Sequence, residues 1–151
     1  MADQENQKSD DFRYIIRVSN TDLQGEKKIV DALRKVKGVS FMFANAICQA
    51  AGVKRQAQTG LLKDADIKKI QAAIDDPEKA GIPSWVRNRR HDYETGEDKH
   101  VVTNDLIITH EDDIKRLKKI KSYRGIRHTN NLPSRGQRTK SNFRSNKGKK
   151  R

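Results

Sequence analysis

Two stretches in the last third of the chain carry the residue types that hold polyanions. One is Tyr123-Arg124-Gly125-Ile126-Arg127-His128; the other runs Pro133-Ser134-Arg135-Gly136-Gln137-Arg138-Thr139-Lys140-Ser141-Asn142. An Arg fork takes two phosphate oxygens or a guanine edge, and glycine lets the backbone approach closely. Gln137, Thr139 and Asn142 add neutral bonds to sugar and phosphate, while Tyr123 and His128 offer faces on which unpaired bases stack. Lys118 and Lys121 stand just before the first stretch and Arg144 just after the second. A separate cluster, Arg87, Arg89 and Arg90, lies upstream. Arg135–Lys140 is not a nucleotide-binding phosphate loop, which requires Gly-Lys followed by Ser or Thr between a strand and a helix.

Catalytic chemistry finds no comparable support. His91, His100, His110 and His128 have no cysteines or carboxylates at metal-ligand spacing, so no metal and no cofactor are expected. The single cysteine, Cys48, falls on an apolar helical stripe and reads as packing. The pairs Asp75-Asp76 and Asp112-Asp113 sit at a helix end and a helix start, where capping accounts for them. With no nucleophile beside a base, the chain is expected not to be an enzyme.

The net charge of +13 is unevenly placed. Residues 1–113 hold 18 basic and all 20 acidic side chains, a balance of −2, whereas residues 114–151 hold 15 bases and no acid. A basic block of that kind reads as a nucleic-acid arm, because each base placed on a phosphate releases condensed counterions. Hydrophobic residues make up only 33% of the chain, so a core is expected for part of it. The longest apolar run, Phe41-Met42-Phe43-Ala44, is far too short for a membrane span, and the polar, acidic start predicts no signal or transit peptide.

The elements that must carry these groups follow from periodicity. Residues 1–11 read as a disordered acidic leader and Phe12–Val18 as a short extended piece. Ile29, Leu33 and Val36 predict a first helix closed by Gly38. Ser40 caps a second, with Ala44, Ile47, Cys48 and Ala51 inward and Gly52 ending it. Asp64 is placed as the cap of a third helix carrying Ile67, Ile70 and Ile74, stopped at Asp76-Pro77. The turn at Lys37–Ala44 fits either a phosphate held at a helix N-terminus or an ordinary connection. Residues 82–103 predict a β-hairpin insert turning near Gly96, with Trp85 read as its core anchor in preference to a stacking platform. A longer helix is expected from about Asn104 to Ser122, with Ile107, Ile114, Leu117 and Ile120 facing the core. Beyond it, residues 124–151 read as an extended arm that becomes ordered only on a partner.

Together, Tyr123–His128, Leu132-Pro133 and Arg135–Lys140 with Asn142 closely resemble the hallmark of one universal ribosomal family. It is the small-subunit protein numbered thirteen in bacteria and archaea and eighteen in eukaryotes. The resemblance continues through Gly25-Glu26-Lys27, Gly38-Val39-Ser40 and the helical stripe of residues 29–51, and covers residues 12–146. The insert Pro83–Arg90 with Asp92–Gly96 is similar to the archaeal and eukaryotic branch. What the resemblance implies is a mainly α fold: a helix-two-turn-helix domain over residues 12–123 with a short hairpin insert, a long helix and an extended basic arm. It implies a structural role in the head of the small ribosomal subunit, in the cytoplasm, on ribosomal RNA. It also implies a neighbouring head protein (number nineteen in bacteria), a large-subunit protein across the interface, and an arm reaching towards P-site transfer RNA. Arg124, Arg127, His128, Arg135, Gln137, Arg138, Lys140 and Asn142 match the motif and would inherit its RNA contacts. Asn130-Asn131 departs from the bulkier or basic residues common there, and no role carries over to the acidic leader.

Two other readings stay in view. A helix-two-turn-helix module of a DNA-repair glycosylase should carry a catalytic Pro or Glu at its mature N-terminus and usually a zinc finger; here residue 2 is Ala and there is one cysteine. A free RNA chaperone should not sediment stoichiometrically with small subunits.

Overall fold

Ile16 and Val18 alternate with exposed neighbours, the period-two pattern of a half-buried strand. They belong to β1 (Ile15–Val18), which pairs antiparallel with β2 (Thr21–Gln24), Ile16 opposite Leu23. The structure, a computed structural model, describes residues 12–140. The predicted leader of residues 1–11 and residues 141–151 of the arm lie outside that range. The chain divides into two units, one ending at Leu106 and the other beginning at Ile107.

In the first unit the extended piece expected near residues 12–18 is half of a hairpin. Ser19 and Asn20 both take positive φ, 44° and 59°, as a two-residue turn of the primed kind requires. Three helices follow: α1 (Ile29–Leu33), α2 (Phe41–Ala50) and α3 (Asp64–Asp75). Ser40 caps α2 as expected, its Oγ accepting from the Phe43 amide at 3.2 Å. For α3 the cap differs. Lys63 occupies that position without a side-chain bond, and Asp64 is instead the first helical residue, its carboxylate paired with Arg13. Ala44, Ile47, Cys48 and Ala51 from α2 meet Ile29, Leu33 and Val36 from the α1 segment and Ile70 and Ile74 from α3. Leu23 and Phe43 fill the centre. Cys48 is buried there, and desolvation pushes its thiol up to about 11, so it is packing and not a nucleophile. Thr59, the buried polar exception among the described residues, is satisfied by the Lys27 carbonyl at 2.8 Å.

The insert at residues 82–103 corrects the predicted β-hairpin. Its two arms run antiparallel but meet at a single bridge, Arg89 with Lys99. Polar side chains do the work of a strand ladder. The Asn88 amide accepts from Val101 N–H at 3.0 Å and donates to Val101 C=O at 2.7 Å, imitating a backbone pair. Asp92 holds the turn, accepting from Arg89 at 2.6 Å and from the Thr95 hydroxyl at 3.2 Å. The Arg89 hydrogen bond, ahead of other charges nearby, holds the Asp92 carboxyl below its ordinary range. So many charged residues have poor strand propensity, which is why no regular strands form.

Residues 101–103 then close over the α1–α2 turn. Thr103 N–H donates to Lys37 C=O at 2.8 Å, and Gly38, at φ +97°, leaves no room for a Cβ, which would sit 2.6 Å from Val101 O. Of the two readings of that turn, the ordinary connection fits: it is a seat for the chain entering the next helix, which begins at Thr103.

His100 lies flat on Phe43, ring centroids 3.6 Å apart. Burial, then the neighbouring Arg87 charge, lowers its pKa from 6.5 to about 4. Folding thus holds this ring neutral where the unfolded chain would bind a proton. Stability is complete above pH 6.5 and declines as pH falls towards 4, by about 1 kcal/mol once screening at the exposed part of the ring is allowed for. Urea midpoints at pH 6.8 and 5.0 will differ in the wild type and hardly at all in His100→Phe. An equal shift in both would remove His100 as the cause.

Candidate nucleic-acid interface

The second unit begins inside α4 (Thr103–Lys119), whose charge order complements the helix dipole: Asp105 in the first turn, Arg116, Lys118 and Lys119 in the last. Within it Lys115 pairs with Asp112 at 3.0 Å and Arg116 with Asp113 at 3.6 Å. Hydrogen bonding to Asp112 raises the Lys115 pKa, keeping it charged. Lys118 and Lys121 have no side-chain partner among the described residues and are exposed. The expectation that Ile107, Ile114, Leu117 and Ile120 face a core is corrected, because no residue of α4 is buried and Ile120 is 65% exposed. Periodicity shows that a helix has an apolar face, not that its own chain covers it.

The chain after α4 is also not extended throughout. Lys121 turns with φ +55°, and Ser122 locks a corner: its Oγ donates to Leu117 C=O at 3.1 Å and accepts from Gly125 N–H at 3.1 Å. A second helix, α5 (Tyr123–Thr129), follows. Gly125 sits against the end of α4 so closely that a Cβ would lie 2.1 Å from Leu117 O. Asn131, at φ +52°, ends α5 in the left-handed region that Asn tolerates, and Leu132 N–H returns to Arg127 C=O at 2.9 Å. That is a physical reason for Asn at the position where the family resemblance was weakest.

On α5, Arg124 and His128 are four residues apart and share a face. Arg124 is exposed, and His128 is half-buried. Arg127 is steadied: its Nε donates to Pro133 C=O at 3.2 Å and its guanidinium lies 5.7 Å from the Tyr123 ring centre. The Tyr123 ring itself is 70% exposed. Among the described residues beyond Pro133 there is no regular element, and Arg135, Gln137, Arg138 and Lys140 are all exposed. Gln137 accepts from the Arg135 amide at 3.1 Å around Gly136, and Arg138 Nε donates to Lys140 C=O at 2.7 Å. Asn142 and Arg144 lie outside the described residues. From Lys115 to Lys140 there is no carboxylate at all, so this surface repels other cations and attracts polyanions.

The upstream cluster divides. Arg87 is only 9% exposed at its side chain, donating to Asp98 C=O at 3.0 Å and facing Glu78 at 3.5 Å. Arg89 is committed to Asp92. Both serve the insert's own structure. Arg87 also helps wall a cleft of about 300 Å³ with Asp75, Asp76, Glu78 and Asp98, carboxylates that disfavour phosphate. Arg90 is exposed and has no partner among the described residues. Trp85, expected as a core anchor, is instead 63% exposed. Among the described residues no group of His, Cys, Asp and Glu could hold a metal ion, and no helix is long and apolar enough to cross a membrane.

The chain is similar in sequence to known proteins. The family model described as ribosomal protein S13/S18 matches residues 17–145. A small ribosomal subunit protein uS13 from Methanocaldococcus jannaschii is 53% identical over 134 residues, 89% of this chain and 89% of its own. That of Nanoarchaeum equitans is 50% identical over 130 residues, 86% of this chain and 85% of its own. A third, from Methanobrevibacter smithii, is 45% identical over 136 residues, 90% of this chain and 92% of its own.

Proposed function

The chain belongs to the ribosomal protein S13/S18 family, and from that premise we propose a structural, RNA-bound protein of the small ribosomal subunit whose second unit and arm make the main RNA contacts. The observation that carries the contact assignment is the carboxylate-free run after Asp113, which presents Arg124, Arg135, Arg138 and Lys140 to solvent. The mechanism is charge neutralisation with shape recognition. Arg and Lys displace counterions from phosphates, Gly136 allows close approach, and Tyr123 offers a stacking face. Lys118, Lys121, Arg127, His128 and Gln137 extend the same surface, and Asn142 and Arg144 are assigned the same role from the sequence alone. Ribosomal RNA is its first ligand. The family resemblance supports three further neighbours: the head protein numbered nineteen in bacteria, a large-subunit protein across the interface, and the P-site transfer RNA. No observation favours the DNA-repair alternative.

Replacing Arg124, Arg127, Arg135 and Arg138 together by Ala will weaken binding to small-subunit RNA by about two orders of magnitude at physiological salt. Helical circular dichroism of the free protein will stay nearly unchanged. If the ellipticity collapses with the affinity, these arginines are fold partners and the assignment of the interface fails.

A further inference from the structure

We propose that Trp85 is a stacking platform for one unpaired RNA base, with Arg90 as its phosphate partner. The inference rests on the RNA-bound reading above but concerns the first unit, where the basic arm plays no part.

Trp85 lies on a single 3-10 turn, Ser84–Val86, that is held at both ends. Ile82 before it is buried, and Val86 after it packs against the core. The Val86 and Arg87 amides bond back to Pro83 and Ser84 carbonyls at 3.1 and 3.0 Å. The Arg87 side chain, fixed by Glu78 and Asp98, pins the next residue. The ring is therefore exposed on a rigid mount. A planar π face held out by a rigid backbone loses little conformational freedom on stacking, which is the property of base-binding aromatics.

The neighbouring charges narrow the occupant. Arg89 is taken by Asp92, Lys99 by Asp92 and Glu97, and Asp98 accepts from the His91 amide. Glu94 lies out at the turn. What the insert leaves uncommitted, five residues after Trp85, is Arg90, an exposed phosphate-binding group. A protein partner would favour a contiguous apolar patch around the Trp. Here the aliphatic residues on either side in sequence, Ile82 and Val86, are turned inward, so an exposed ring on an insert that also carries an exposed, uncommitted guanidinium fits a nucleotide better.

Trp85 is the only tryptophan in the chain, so its emission reports on this site without labelling. The test uses the full-length protein with two probes, a single-stranded oligoadenylate and an RNA duplex of equal charge, binding being followed separately by anisotropy of labelled RNA. Both RNAs will bind, but only the oligoadenylate will quench Trp85. Trp85→Ala will weaken oligoadenylate binding about tenfold and leave duplex binding unchanged, while Trp85→Phe will keep most of the affinity. Oligoadenylate binding with unaltered emission overturns the proposal and leaves the arm's role standing. Quenching or a blue shift produced only by RNA-free small-subunit proteins assigns the ring to a protein contact and overturns it too. If neither RNA binds, the RNA-bound reading of the whole chain falls, and this inference with it.

Discussion

Truncation after Pro133 lowers affinity for small-subunit RNA by about three orders of magnitude at physiological salt. Eight bases are lost, from Arg135 to Arg151, while α4, α5 and the first unit remain. If most of those bases sit on phosphates, each contributes close to one unit to the slope of log affinity against log salt. That slope should become shallower by about four to seven. The truncated protein should unfold in urea with the same midpoint as the full chain, because residues 134–140 supply no buried residue. Affinity titrated between low and moderate salt measures both quantities. An unchanged slope would locate the RNA contacts within residues 1–133 and sink the arm's role.

The second large effect needs no change of charge. In Gly125→Ala the new methyl would stand 2.1 Å from Leu117 O and 2.5 Å from Leu117 C. Both are backbone atoms, so no rotamer relieves the clash and the corner must open. Among its described residues the unit has no other buried one to hold α5 in place. A seven-residue helix alone is well below the ~12–15 residues that make an isolated helix even marginal in water. The local cost should be about 2–4 kcal/mol. Amide exchange at Ile126 and Asn130 should accelerate about 30-fold or more. RNA affinity should fall about tenfold with the salt slope intact, because the same cations are present but no longer pre-positioned. Retained protection at both amides would show that the corner yields cheaply and that the arm's direction is set elsewhere.

How far the sequence predicts these features depends on which physical signal each one leaves. α2 and α3 are legible because burial imposes a 3.6-residue period on Ala44, Ile47, Cys48 and Ala51 and on Ile70 and Ile74. The arm is legible because charge segregation needs no fold at all. The insert is only half legible: its turn at Gly96 shows, but the Asn88 amide standing in for a backbone pair leaves no periodic trace. Helix α5 was hidden for a related reason. Its single aliphatic residue, Ile126, gives no stripe, and its stability comes from Ser122 and a bare glycine against a carbonyl. The capping serine was the available signal. Trp85 misleads because a large aromatic is usually buried, and nothing in its neighbours' types reveals that the turn faces it outward.

The division of the chain at Leu106 has a consequence in time. Synthesis runs from the amino end, and the core that Phe43 centres is complete before any residue after Leu106 is needed. The remaining 45 residues take about 2–9 s to add at ~5–20 residues per second. Small helical domains fold in microseconds to milliseconds. The near-neutral unit can thus reach its native state while the strongly cationic sequence is still being made or is held within the ribosome's exit tunnel. A nascent chain of this order is spared the competition between collapsing on its own core and adhering to the RNA around it.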